Sequence, residues 1–132
     1  MIDYSNEIFN LISKELKNQF DTIKVIGENI SIPTEFPTVT VDEVSNIPTS
    51  KDSGTMNKLA LVRYRVQVFS NKTKGKRAEC RQIFKVVDEI MQGVNLTCKT
   101  YSPLPDVYNS QIYQITASYE GVIRNDGYIF KN

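Results

Sequence analysis

Apolar residues recur at helical spacing near the start of the chain. Tyr4, Ile8, Leu11, Ile12, Leu16 and Phe20 form one stripe, and Lys14, Lys17 and Asn18 lie off it. This spacing predicts a core-packing helix over residues 4–20, with Asp3 as its N-cap. A short apolar run, Ile23-Lys24-Val25-Ile26, is followed by a turn at Gly27-Glu28-Asn29 and then by Ile30-Ser31-Ile32. Pro33 and Pro37 bracket an extended segment, because proline disfavours helix both at itself and just before it. From Thr38 to Val44 the pattern has period two, with Val39, Val41 and Glu43 on one face and Thr38, Thr40 and Asp42 on the other, which predicts a strand. Residues 45–57 hold Pro48, Gly54 and many small polar residues with few apolar anchors. They read as a loop that is mobile in the free subunit.

Lys58 to Ser70 is the clearest strand, because Tyr64, Val66 and Val68 alternate with Arg63, Arg65 and Gln67, the pattern of one buried and one wet face. Asn71 to Gly75 turns the chain. Thr73 is a candidate cap for a second helix running to Gln92, with Cys80, Ile83, Phe84, Val87, Ile90 and Met91 as its apolar stripe and Gly93 as a left-handed stop. Val94 to Tyr101 reads as a strand, and Ser102 to Ser110, with Pro103 and Pro105, as an extended loop. Ile112 to Arg124 reads as a long strand, with Asn125-Asp126-Gly127 turning into a short edge at Tyr128-Ile129-Phe130.

The element order is α-β-β-β-α-β-β. Grouped strands flanking single helices predict an α+β fold: a mixed or antiparallel sheet of four to five strands, with both helices packed on one face and one domain over residues 1–132. Its core should contain Tyr4, Ile8, Leu11, Leu16, Val66, Val68, Ile83, Phe84, Val87, Ile90, Ile115 and Ala117.

Composition changes this picture mainly by exclusion. The chain has 132 residues, 40% hydrophobic and 23% charged, which argues against wholesale disorder. Sixteen basic residues stand against fifteen acidic ones, without the overall excess of a dedicated nucleic-acid binder. No apolar stretch is long enough to span a bilayer, and the N-terminal residues do not resemble a signal peptide. Histidine is absent, which removes the commonest general base, the usual serine and cysteine triads and most zinc sites. Cys80 and Cys98 fall on apolar faces and read as small hydrophobes in a reducing compartment. Gly75-Lys76 does not complete a phosphate loop, since Arg77 stands where serine or threonine is needed and Ser70 where the first glycine belongs. No catalytic, metal or cofactor site is expected. A small RNA-binding module would need Tyr64 and Tyr113 on an outward sheet face as stacking platforms.

Charge is unevenly placed. From residue 70 to 86 the chain carries Lys72, Lys74, Lys76, Arg77, Arg81 and Lys85 against Glu79 alone. From residue 28 to 53 it carries Glu28, Glu35, Asp42, Glu43 and Asp52 against Lys51 alone. Cations at the start of the second helix oppose its dipole, so helix stability does not explain them. Two readings are open: a solvated loop, or a corner at Lys72, Lys74, Lys76 and Arg77 that meets an acidic partner surface, the chain's own dissimilar patch being Glu28, Glu35, Asp42 and Glu43.

Several local phrases carry a resemblance. They are the N-terminal helix leading into Phe36-Pro37-Thr38-Val39-Thr40-Val41-Asp42-Glu43 and the strand Tyr64-Arg65-Val66-Gln67-Val68-Phe69-Ser70-Asn71-Lys72. The latter runs through Gly75-Lys76 into Ile83…Val87-Asp88-Glu89-Ile90-Met91, and a proline-containing loop then leads to Ile112-Tyr113-Gln114-Ile115 and Tyr119-Glu120-Gly121. In this layout the chain resembles the tail terminator, or tail completion, proteins of long-tailed bacteriophages and phage-tail-like bacteriocins. The resemblance implies a non-enzymatic structural protein of the virion, put together in the bacterial cytoplasm. Its subunits would close into a ring, a hexamer on the tail. A subunit contact that joins the basic corner of one copy to Glu28, Glu35, Asp42 and Glu43 of the next through individually weak pairs would leave the free protein monomeric in dilute solution. The implied partners are the tail tube protein and a head completion or connector protein, with no membrane and with DNA only in passage through the ring. Where members of the family often carry an arginine in the last long strand, this chain has Gln114 and Ser118. A head–tail connector or stopper subunit is the nearest alternative.

Overall fold

The computed structural model describes residues 5–28, 33, 35–48, 59–106 and 111–124. Its elements are α1 (Ser5–Gln19), β1 (Lys24–Ile26), β2 (Thr38–Pro48), β3 (Leu59–Ser70), α2 (Lys76–Gly93), β4 (Thr97–Asp106) and β5 (Ile112–Arg124). The order matches the expected α-β-β-β-α-β-β. The strands form one five-stranded sheet in the order β1-β2-β3-β5-β4. β1 pairs with β2 in parallel, and every other pairing is antiparallel, so the sheet is mixed.

The apolar stripes meet on one side of this sheet. Ile8, Ile12 and Leu16 of α1 and Cys80, Ile83, Val87 and Met91 of α2 join Val39, Val41, Val62, Tyr64, Val66, Val68, Ile115, Ala117 and Tyr119 in one cluster. Side chains alternate along a strand, and Val39–Val68–Ile115 and Val41–Val66–Ala117 are cross-strand rows, so all of them face the helices. Three expected core members differ. Leu11 is 44% exposed, because the buried row of α1 is its i, i+4 line 8–12–16, and Leu11 sits at the border of that line beside Glu7, Asn10 and Lys14. Phe84 and Ile90 pack against the cluster only partly buried, and Phe84 stacks obliquely on Tyr101 with ring centroids 5.0 Å apart. Tyr4 lies outside the described residues.

Several element ends depart from the sequence pattern. β2 runs to Pro48 where a loop from Ser45 was expected. A register shift between Glu43 and Ser45 leaves Val44 as an extra residue, and Ser45–Pro48 then pair with Arg63–Ala60. Pro48 is tolerated because it ends the strand. The rest of the expected 45–57 loop lies outside the described residues, as do Ile30–Ile32, the 125–127 turn and Tyr128–Phe130. β4 runs to Asp106 where Ser102 was expected to begin a loop. It is an edge strand, and an edge can hold Pro103 without losing a ladder bond on its open side.

Both ends of α2 also differ. The expected cap Thr73 is not used. The helix starts after Gly75, which sits at φ 85 and provides no side-chain cap. At the other end Gly93 is still helical, and the left-handed residue is Asn95, at φ 67. Leu96 N donates to Met91 O at 2.9 Å and Asn95 N to Gln92 O at 3.0 Å, the paired bonds of a Schellman stop, with Leu96 and Met91 both buried as its apolar contact. Strand β4 therefore begins at Thr97 rather than Val94.

Candidate functional site: a basic corner beside a polar sheet face

The face of the sheet away from the helices is built from cross-strand rows. At one end Thr38, Phe69, Gln114 and Leu104 lie in register, followed by Thr40, Gln67, Thr116 and Ser102, and then by Asp42, Arg65, Ser118 and Thr100. The first rows are buried despite their polarity: Thr38, Thr40, Gln67 and Gln114 are all shielded, as is Phe69. This overturns the expectation that Gln67 lies on a wet face. The buried polar atoms satisfy one another, with the Thr40 hydroxyl donating to Gln67 Oε1 at 2.8 Å and Gln114 Nε2 donating to Thr116 Oγ1 at 3.0 Å.

The acidic residues expected at a subunit contact are largely engaged within the chain. Arg65 donates through Nε and Nη2 to both oxygens of Asp42, at 3.4 and 3.0 Å, and the two residues face each other across β2 and β3. Lys24 Nζ lies 2.9 Å from Glu35 Oε2 on the surface. Glu43 accepts from Asn46 Nδ2 at 3.2 Å. Glu28 is exposed just after β1. A second cross-strand set links Arg63 Nη2 to Glu120 Oε1 at 2.7 Å, with Lys99 Nζ 3.9 Å from the other oxygen.

The basic residues behave differently. Lys72 and Lys74 lie on the turn after β3, Lys76 and Arg77 open α2, and Arg81 and Lys85 continue from Arg77 at i+4 and i+8 along one exposed stripe. Among the described residues none of these six forms an ion pair. Glu79, the one acid in the segment, turns inward and accepts from the Ser70 hydroxyl at 2.6 Å, while Ser70 Oγ also receives the Lys72 amide at 3.3 Å. Because Lys24 pairs with Thr38 and Thr38 with Phe69, the Lys24–Glu35 pair and the basic corner lie off the same end of the sheet. Glu28, Asp42 and Glu43 lie further along it. The structure thus gathers the basic residues into one array and scatters the acidic ones.

Sequence reasoning missed a partly buried cluster between α2, β4 and β5. Tyr119 donates to Asp88 Oδ1 at 2.6 Å, next to Phe84 and Cys98. Burial, and then the Asp88 carboxylate, push the Tyr119 hydroxyl well above its usual range. Burial and Asp88 also raise the Cys98 thiol. Cys80 is pushed up to about 12, first by burial and then by Glu79. Both thiols therefore stay protonated at neutral pH, opposite to an activated nucleophile. Asp88 and Tyr119 are 31 residues apart, and the only hint in the sequence was an acid one position from an apolar stripe. Among the described residues no three His, Cys, Asp or Glu side chains are grouped to hold a metal, and no helix is long and apolar enough to cross a membrane. Tyr64 and Tyr113 are buried on the helix-covered face, so neither offers the stacking platform that an RNA-binding sheet needs.

No protein-family model matches the chain, and no curated protein matches it. Among solved structures it is similar to a chain from the virion of a native gene transfer agent (GTA) particle, with a TM-score of 0.62 over 91% of each chain and 9% sequence identity. At that identity the likeness is one of fold.

Proposed function

We propose that this chain is a structural subunit of a phage-type virion, and specifically a tail terminator. Its copies close into a ring on the last turn of the tail tube, stop the growth of the tube and present a surface to the head completion protein. The observation that carries the reading is the fold, which matches a virion chain over nine tenths of both molecules. The quoted tail-terminator phrases support it, since they fall on β2, β3, α2 and β5, the elements that build the core. The raised thiols and the lack of histidine fit a protein that assembles rather than catalyses.

A closed ring needs two different patches on each subunit. Of the four acids expected to meet the basic corner, Glu28 and Glu35 are the ones a neighbour could engage. Glu35 is held only by an exposed pair, worth about 0–1 kcal/mol, whereas Asp42 is held by a two-bond arginine contact. The ring reading does not depend on that contact. Purified protein mixed with growing tail tubes should appear in negative stain as a ring at one end and should halt elongation. Tubes that keep growing with bare ends would sink the proposal, and a ring that binds a connector but never a tube would move the chain to the stopper class.

A further inference from the structure

Among the described residues no member of the array Lys72, Lys74, Lys76, Arg77, Arg81 and Lys85 forms an ion pair. Three properties bear on what it meets. First, Glu79, the one acid between residues 70 and 86, is turned away from it and bound to Ser70; further along α2, Asp88 is bound to Tyr119 and Gln92, and Glu89 is exposed one helical step beyond Lys85. Second, the array is linear. Arg77 to Lys85 spans two i+4 steps, about 12 Å of helix, Lys76 opens the helix, and Lys72 and Lys74 lie on the turn before it. Third, it has no apolar centre. Of the exposed large hydrophobic residues, Leu11, Val44, Ile47 and Leu104 are on other elements, and Tyr101 of β4 packs on Phe84 towards the Lys85 end rather than among Lys72, Lys74 and Lys76, whereas protein interfaces are built around an apolar or aromatic core and are poor in lysine. A line of cations without such a core fits a regular polyanion better than it fits a protein surface.

We propose that this array binds the phosphate backbone of double-stranded DNA, without reading its sequence. The inference goes beyond the ring reading and does not require it. The contact is electrostatic, because Tyr64, Tyr113 and Tyr119 are buried and the half-exposed Tyr101 has its ring engaged by Phe84. The uncapped start of α2 adds unpaired amides to the same corner, so a phosphate there would also relieve the clash between Lys76, Arg77 and the helix dipole.

The test is fluorescence anisotropy of the full chain with a labelled DNA duplex of arbitrary sequence. About four phosphate contacts predict binding that weakens on the order of 10²-fold between about 50 and 200 mM salt. The variant Lys74→Glu/Lys76→Glu/Arg81→Glu should abolish it, while Lys14→Glu/Lys17→Glu, on exposed positions of α1, should weaken it far less; circular dichroism verifies that both fold. No binding at low salt, salt-independent binding, or equal losses in the two variants would each overturn the proposal. So would normal DNA binding by the first variant with tail capping lost and then restored by Glu28→Lys/Glu35→Lys, which would assign the array to a neighbouring subunit.

Discussion

The acidic stretch around Glu28–Glu43 and the basic stretch around Lys72–Lys85 look equivalent along the chain, each a run of one sign with few opposing charges. The fold treats them in opposite ways. β2 places Asp42 opposite Arg65, and the β1–β2 pairing brings Lys24 to Glu35, so acids distant from any base in sequence gain partners from neighbouring strands. The basic run lies on a turn and on the outer stripe of a helix, which no strand adjoins, and its own acid points into the core side of that helix. A run of like charge therefore becomes a patch only where topology denies it neighbours.

The comparison can be sharpened first at the inward acids, where the largest effects are expected. Asp88→Ala should destabilise the protein by about 2–3 kcal/mol, because it leaves the buried Tyr119 hydroxyl without its acceptor; Tyr119→Phe in that background should recover part of the loss in a denaturant titration.

Alkaline pH probes the same buried layer. The Cys80 thiol titrates near 9.0 when unfolded and at about 12 when folded. Its contribution to stability is thus complete below pH 9 and falls away as the pH rises towards 12. Thermal melts across that range should show a decline that flattens in Cys80→Ala, whatever that variant costs at neutral pH. An identical slope would show that Cys80 does not titrate as argued.

Smaller effects separate the two charged regions directly. Asp42→Ala should cost about 1 kcal/mol, and a double-mutant cycle with Arg65→Ala should show coupling between them. Lys76→Glu should do the reverse and raise the melting temperature, adding a few tenths of a kcal/mol up to about 1, since it puts an anion at the start of α2. Glu35→Ala should shift stability least, by a few tenths of a kcal/mol at most, because its pair with Lys24 is exposed on both sides. If Lys76→Glu destabilised as much as Asp42→Ala, the basic corner would have an intramolecular partner after all, and the contrast would collapse.

Much of the fold was legible because its elements follow simple periods. The 8–12–16 row of α1, the stripe of α2 and the alternation of Tyr64, Val66 and Val68 each imply one buried face, and three such faces close on one another in few ways. The misread ends share a cause. Pro48, Pro103 and Gly93 are local punctuation marks, and each was overruled by pairing or capping partners distant in sequence or outside the expected boundary. Bulges at Val44 and Lys99 are likewise invisible in a period-two pattern, because they exist only against a partner strand.

The candidate site was legible as charge but not as arrangement. Sequence alone determined that six cations crowd one segment and that no histidine chemistry is available, because composition and spacing are properties of the chain itself. It likewise determined the α-β-β-β-α-β-β order, through which positions must be apolar. Only the tertiary structure decided which charges find partners, that Thr38, Thr40 and Gln67 are buried rather than wet, and that Asp88 is bound to Tyr119. Those outcomes depend on strands and helices that meet across tens of residues, and a hydrogen bond or ion pair forms only where folding brings its two halves within about 3 Å.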